Sequence, residues 1–175
     1  MTTLTLAVEP ELIERHWRPA TPDDLEFARE LTCRGMLRYY IEHDLLWQDE
    51  AFDVAWAGRD NRLIARGDSV LGYVSLSRDA RALYIRELHI VEAFRGQGTG
   101  SWAIDQVLAL ARRERRPALR LTVFENNPAQ ALYQRKGLRV VGKDECFLRM
   151  QLEIPGRIAE TRLQQAFQDE LKLLI

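Results

Sequence analysis

The sequence is short of the residues that build metal and redox centres. Only two cysteines, Cys33 and Cys146, and three histidines, His16, His43 and His89, occur in 175 residues. None stands at the spacing of a metal-ligand or dithiol motif, so no metal is expected and the thiols are expected to stay reduced. An excess of charge of one sign is missing too. Lys and Arg number 25 against 26 Asp and Glu, a net charge of −1, which removes any bulk electrostatic ground for nucleic-acid binding. No apolar run is long enough to span a membrane. The opening stretch MTTLTLAVEPELIERHW carries Glu9, Glu11 and Glu14 without a basic start, so no secretory leader and a cytoplasmic location are expected. Internal repeats and low-complexity segments are absent. What remains, 46% hydrophobic and 29% charged, describes a globular chain of single-domain length.

Periodicity and punctuation predict an α/β chain. A short strand at His16 to Pro19 precedes a helix opened by Thr21-Pro22-Asp23-Asp24, with Thr21 as cap and Leu25, Ala28, Leu31 and Thr32 facing inward. Gly35 interrupts that pattern, which predicts a second helix from about Met36 to Leu46 and a third over Trp47 to Ala57. Strands follow at Asn61 to Ala65, Val70 to Leu76 and Leu83 to Val91, turned by Gly67-Asp68 and Arg78-Asp79 into an antiparallel run. Thr99 to Arg113 reads as a helix, stopped by Pro117, with Trp102, Ile104, Val107, Leu108 and Ala111 inward. Its basic end, Arg112 to Arg116, suits a helix C-terminus better than a binding patch. A strand at Leu119 to Phe124, a helix at Pro128 to Lys136 and a hairpin of Leu138 to Val141 with Cys146 to Ile154 complete a unit over residues 1–154. Beyond Pro155-Gly156, residues 155–175 form an extension whose amphipathic helix, Arg157 to Leu174, needs cover from its own core or from a second copy in a homodimer.

The chemistry concentrates between Leu83 and Trp102. An apolar strand runs through Arg95 and three alternating glycines, Gly96, Gly98 and Gly100, straight into a helix. Glycines there let backbone N–H groups approach a ligand closely, and the helix N-terminus presents unpaired N–H groups with partial positive charge. That combination is an anion site, best suited to a pyrophosphate. A Walker loop fails, because Gly100 is followed by Ser101-Trp102 rather than Lys-Ser or Lys-Thr. A dinucleotide fingerprint fits Gly98-x-Gly100-x-x-Ala103, with Glu125 at the end of the next strand, but it expects a parallel βαβ unit where antiparallel strands are predicted. A ligand-free glycine turn is the third alternative.

Arg95-x-x-Gly98-x-Gly100 resembles the acyl-CoA pyrophosphate motif of the GNAT (GCN5-related N-acetyltransferase) superfamily. Asn126-Asn127-Pro128-Ala129-Gln130-Ala131-Leu132-Tyr133, followed by Arg135-Lys136-Gly137-Leu138, is similar to that superfamily's segment ending in Tyr-x-x-x-Gly-Phe, with Leu138 in place of Phe. Gly72 and the Leu88-x-Ile90 pair also suit the pattern, which runs to about Leu152. The resemblance implies a central twisted mixed β-sheet flanked by helices and splayed between its fourth and fifth strands. It implies acetyl-CoA as co-substrate and an amine acceptor, hence an acyl-CoA-dependent N-acyltransferase. A non-catalytic acyl-CoA-binding domain on the same scaffold, or more distantly an NAD(P)-binding oxidoreductase, is the alternative.

The resemblance also assigns roles. Main chain at His89, Ile90 and Val91 faces the pantetheine and thioester, and Ile90 N–H is suited to hold a tetrahedral oxyanion. Arg95, Gly96, Gln97, Gly98, Thr99, Gly100 and Ser101 hold the pyrophosphate. Asn126 contacts the pantetheine arm, or is a turn residue beside Pro128. Tyr133 is the general acid for the departing thiolate, or a core tyrosine. Strand alternation puts Glu87 and His89 on one face and Leu88 and Ile90 on the other, so Glu87, then His89, is the candidate base. The competing role for Glu87 is an ion pair with Arg86 or Arg81. Tyr39, Tyr40, Trp47, Phe52 and Trp56, with Glu42, Asp44, Asp49, Glu50 and Asp53, form either an acidic, aromatic acceptor mouth or core aromatics beside a solvated face.

Overall fold

A computed structural model describes residues 13–156, 161–166 and 169. Seven strands form one mixed sheet in the order β1-β2-β3-β4-β5-β7-β6. They are β1 (Arg15–Pro19), β2 (Asp60–Arg66), β3 (Ser69–Arg78), β4 (Leu83–Ile90), β5 (Ala118–Phe124), β6 (Arg139–Asp144) and β7 (Phe147–Glu153). All neighbours are antiparallel except β4 and β5. That one parallel contact needs a crossover, which α3 (Thr99–Arg113) supplies.

Two apolar layers sandwich the sheet. On one face α1 (Leu25–Glu42) and α2 (Asp49–Ala57) cover Leu63 and Tyr73 with Ala28, Leu31 and Phe52. On the other, α3 buries Ile104, Val107, Leu108 and Ala111 against Val74, Leu76, Leu83 and Leu119, and α4 (Gln130–Arg135) adds Leu132 and Tyr133 to the same layer.

Gly35 does not break the first helix: α1 is continuous from Leu25 to Glu42. Glycine in a helix interior costs about 1 kcal/mol. Here it faces the His89 ring, whose Nδ1 lies 3.4 Å from where a Cβ would sit, so packing overrides propensity. The entry of α1 is also modified. Pro22–Asp24 is a 3-10 turn, and the Asp24 carboxylate accepts from Thr21 N–H at 2.8 Å and pairs with Arg18 at 3.0 Å. The helix expected at Pro128 to Lys136 is shorter, because Pro128 and Ala129 sit in a turn closed by Ala129 N–H donating to Asn127 Oδ1. In the C-terminal extension residues 161–166 are helical and exposed; the rest of the predicted stripe, and with it the question of what covers it, lies outside the described residues.

Candidate active site

The sheet opens where β4 and β5 part. Their pairing is limited to Leu83↔Leu119, Tyr84↔Arg120 and Ile85↔Leu121. Beyond that point β4 stays paired to β3 and β5 to β7, so the two strands diverge towards their C-terminal ends. A cavity of about 270 Å³ fills the fork and passes through the sheet, from Met36 and Tyr40 of α1 on one face to Tyr133 of α4 on the other.

A bulge in β4 decides which side chains enter it. Leu76 pairs with Ile85 and Ser75 with Glu87, leaving Arg86 as the extra residue. Leu83 and Ile85 pack in the α3 layer, and uninterrupted alternation from them would turn Glu87 and His89 into it as well. The extra residue resets the phase. Leu88 and Ile90 now pack beside Ala103 and Trp102, while Glu87 and His89 line the cavity. Glu87 pairs with neither Arg86 nor Arg81. Its Oε2 lies 2.7 Å from Nε2 of His89, and the nearly buried His89 ring stacks on Tyr73 at 5.8 Å. Arg86 instead donates to Ser77 Oγ at 2.7 Å and lies over the Tyr84 ring.

The Glu87 carboxylate acts on the tyrosines around it. Burial, reinforced by Glu87, pushes the Tyr133 phenol up to about 12 and raises those of Tyr40 and Tyr73. All three therefore hold their protons more tightly than an exposed tyrosine.

Gly72 allows β3 to press against β4. A Cβ there would meet the His89 carbonyl oxygen at 2.2 Å and Ile90 Cα at 3.0 Å. Val91 N–H donates to Leu71 C=O at 2.8 Å. Since N–H groups alternate sides along a strand, Ile90 N–H points away from β3, towards the fork. The Ile90 carbonyl is taken by Arg95 Nε at 2.9 Å.

The glycine loop stands at the entrance of α3. Gly96 and Gly98 have φ of +73° and +81°, the left-handed region that favours glycine, and Gly98 caps the helix. The N–H groups of Thr99, Gly100 and Ser101 thus form its open first turn. Two arginines not anticipated from the sequence reach this loop. Arg15 donates to Thr99 Oγ1 at 3.1 Å and to the Gln97 carbonyl, and Arg66 donates to Gln97 Oε1 at 3.4 Å. Arg15 and Arg66 are register partners across β1 and β2; only strand pairing brings them together.

Asn126 is placed at the tip of β5 but does not line the cavity. Its amide donates to Glu42 Oε2 at 2.7 Å, and its Oδ1 lies 3.1 Å from His43 Nε2. Tyr39 and His43 stack on Phe124 beneath it, so the end of α1 is fastened to the end of β5. The proposed acidic, aromatic mouth is divided. Tyr39 and Phe52 are buried, and Trp47 and Trp56 pack on the α1–α2 core. Asp53 pairs with Arg29 and Asp49 accepts from Trp47. Of these residues only Tyr40 lines the cavity, whose lining includes instead the sequence-silent Arg59.

A family model described as the acetyltransferase (GNAT) family matches residues 16–138. No curated protein matches significantly. Among solved structures, an acetyltransferase from Thermus thermophilus superposes with TM-score 0.66 at 19% identity, over 82% of this chain and 99% of its own. PaiA N-acetyltransferase from Thermoplasma acidophilum, in complex with coenzyme A, gives 0.65 at 14% over 81% and 99%. A GNAT family acetyltransferase from Elizabethkingia anophelis with acetyl-CoA bound gives 0.61 at 17% over 80% and 98%.

Proposed function

The chain belongs to the acetyltransferase (GNAT) family, and from that premise we propose that it is an acyl-CoA-dependent N-acyltransferase, passing acetyl from acetyl-CoA to a primary amine of a small molecule or peptide. One observation carries the reading: a single cavity through the fork of β4 and β5 is lined by Glu87 and His89 on one side and by Tyr133 on the other. An acyl donor held at the α3 entrance and an amine arriving from the α1–α2 face meet inside it.

The residues divide the work. Gly96 to Ser101 offer N–H groups to the pyrophosphate, with Arg15 and Arg66 adding positive charge beside them. The pantetheine arm lies along the unpaired edge of β4. An ammonium acceptor must lose a proton before it can attack, and Glu87, held by His89, takes it directly or through water. Nitrogen then bonds to the thioester carbon, and Ile90 N–H holds the oxyanion that forms. Collapse breaks the carbon–sulfur bond. Tyr133 is less acidic than an ordinary thiol, whose pKa is about 8.5. It therefore hydrogen-bonds to the departing sulfur and yields its proton only as charge develops there, regaining one as the nitrogen, now bonded to carbon, sheds its second proton. The products are the amide, CoA thiol and the proton taken from the ammonium.

The test is calorimetric binding of acetyl-CoA to the wild type beside Gly98→Glu, followed by thiol release with a panel of amines. Binding lost in the variant, and thiol release that depends on amine, are expected. A folded wild type that binds no acyl-CoA would refute the reading.

A further inference from the structure

Arg59 is the one charged side chain of the cavity lining without a bonding partner among the described residues. Glu87 is bonded to His89, and Arg86 is held by Ser77 and Tyr84. The half-buried Arg59 guanidinium has neither an ion pair nor a side-chain hydrogen bond. Its backbone, by contrast, is fixed at the junction of α2 and β2: its N–H donates to Trp56 C=O at 3.2 Å, and its C=O accepts from Asn61 Nδ2 at 3.3 Å. Burial, aided by Arg86, pulls this guanidinium below its ordinary range against the opposing pull of Glu87. A half-desolvated cation with no bonded counter-ion, only the more distant charge of Glu87, weakens a fold, so its place on a cavity wall suits an anion supplied from outside.

That anion is not the pyrophosphate. The glycine loop contributes no residue to this cavity lining, and its neighbouring cations are Arg15 and Arg66. Arg59 stands where α2 meets β2, on the side from which the acceptor enters. From this placement we propose that the acceptor is an amine that also bears a carboxylate, an amino acid or short peptide, whose carboxylate docks on Arg59 while its amine faces Glu87. A planar guanidinium matches a carboxylate through two parallel N–H···O bonds. The cavity, about 270 Å³, suits a compact molecule carrying both groups. Docking leaves the chemistry unchanged: the ammonium gives one proton to Glu87, nitrogen bonds to the acyl carbon and sheds its second proton, and sulfur leaves as CoA thiol with the proton from Tyr133.

This inference rests on the N-acyltransferase reading, and the experiment separates the two. CoA thiol release is measured with amino acids and dipeptides, their C-terminal amides, the matching decarboxylated amines and phosphoethanolamine, on wild type, Arg59→Met and Arg59→Lys. Wild type is expected to favour the carboxylate-bearing amines. Arg59→Met is expected to raise their KM about 10- to 100-fold, the worth of a hydrogen bond to a charged group, with a much smaller change in kcat. Arg59→Lys should fall between, and amides should show no comparable rise in KM in either variant. Because the guanidinium has no partner to lose, Arg59→Met should melt at or above the wild-type temperature. Turnover confined to amides, decarboxylated amines or phosphoethanolamine, or a KM rise shared equally by acids and amides, would overturn the inference alone. No turnover with any amine would overturn the acyltransferase reading and this inference with it.

Discussion

Gly72→Ala tests the link between sheet packing and chemistry most directly. The new Cβ would sit 2.2 Å from the His89 carbonyl oxygen, where ordinary contact begins at 3.4 Å. Ile90 Cδ1 at 3.0 Å could swing aside, but His89 O and Ile90 Cα are main chain, so no side-chain rotation relieves the clash and β3 and β4 must separate. Overpacking of this kind costs about 1–3 kcal/mol. At roughly 2–4 °C per kcal/mol for a chain of this size, Tm should fall by roughly 2–12 °C. The displaced backbone carries Ile90 N–H, the proposed oxyanion donor, and a misplacement of about 1 Å costs on the order of 10²-fold in rate. Thermal unfolding and CoA thiol release, assayed well below the variant's Tm, should therefore show a loss of kcat/KM far beyond the fraction unfolded. Gly58→Ala is the control. Its Cβ would meet only Ala55 O at 3.9 Å, so stability and activity should stay near wild type. A Gly72→Ala protein with wild-type Tm and kcat/KM would refute the reasoning.

Glu87→Gln keeps an acceptor for His89 but removes the proposed base, so kcat/KM should fall about 10²- to 10⁴-fold; an unchanged value across pH would remove Glu87 from that role. Tyr133→Phe should lower kcat by about 10²-fold without moving the alkaline limb of the pH–rate profile below pH 10, because the phenol holds its proton to about 12. A limb that shifts in this variant would contradict that. Ionising Tyr40, Tyr73 or Tyr133 is harder in the folded chain than in the unfolded one, since all three are raised from 10. Stability should therefore hold below pH 10 and decline as pH rises from there through the folded values. Absorbance titration of tyrosinate alongside Tm should show these three ionising above the ordinary tyrosine range; their ionisation near pH 10 in the native protein would refute it.

Local signals were readable wherever the chain punctuates itself. The helix predicted over Thr99 to Arg113 has those bounds, because a positive-φ glycine opens it and a basic turn before Pro117 closes it. Ala28, Leu31 and Thr32 are buried as their spacing implied. Gly35 misled because propensity is local, whereas the reason for that glycine is a histidine ring on a strand more than fifty residues later. The phase of β4 was reached from its far end, where Leu88 and Ile90 look apolar. The bulge at Arg86 that separates them from Leu83 and Ile85 leaves no mark in composition. Arg15, Arg59 and Arg66 were invisible for a further reason: each is one arginine among many until the sheet is assembled.

The brevity of the contact between β4 and β5 also bears on how long the molecule lasts. Within the sheet only three residue pairs join β4 to β5, the rest of the connection passing through α3 and α1, which leaves the diverging ends of β4 and β5 as the natural place for local opening, below the cost of global unfolding. A long thin occupant lying along β4 acts as a strut across that gap. Bound at a hundred times its Kd, such a ligand adds about 2.7 kcal/mol, and amides flanking the fork should exchange with deuterium markedly more slowly. Resistance to proteolysis would then track acyl-CoA supply, so the protein would persist where its donor is plentiful and be cleared where it is scarce.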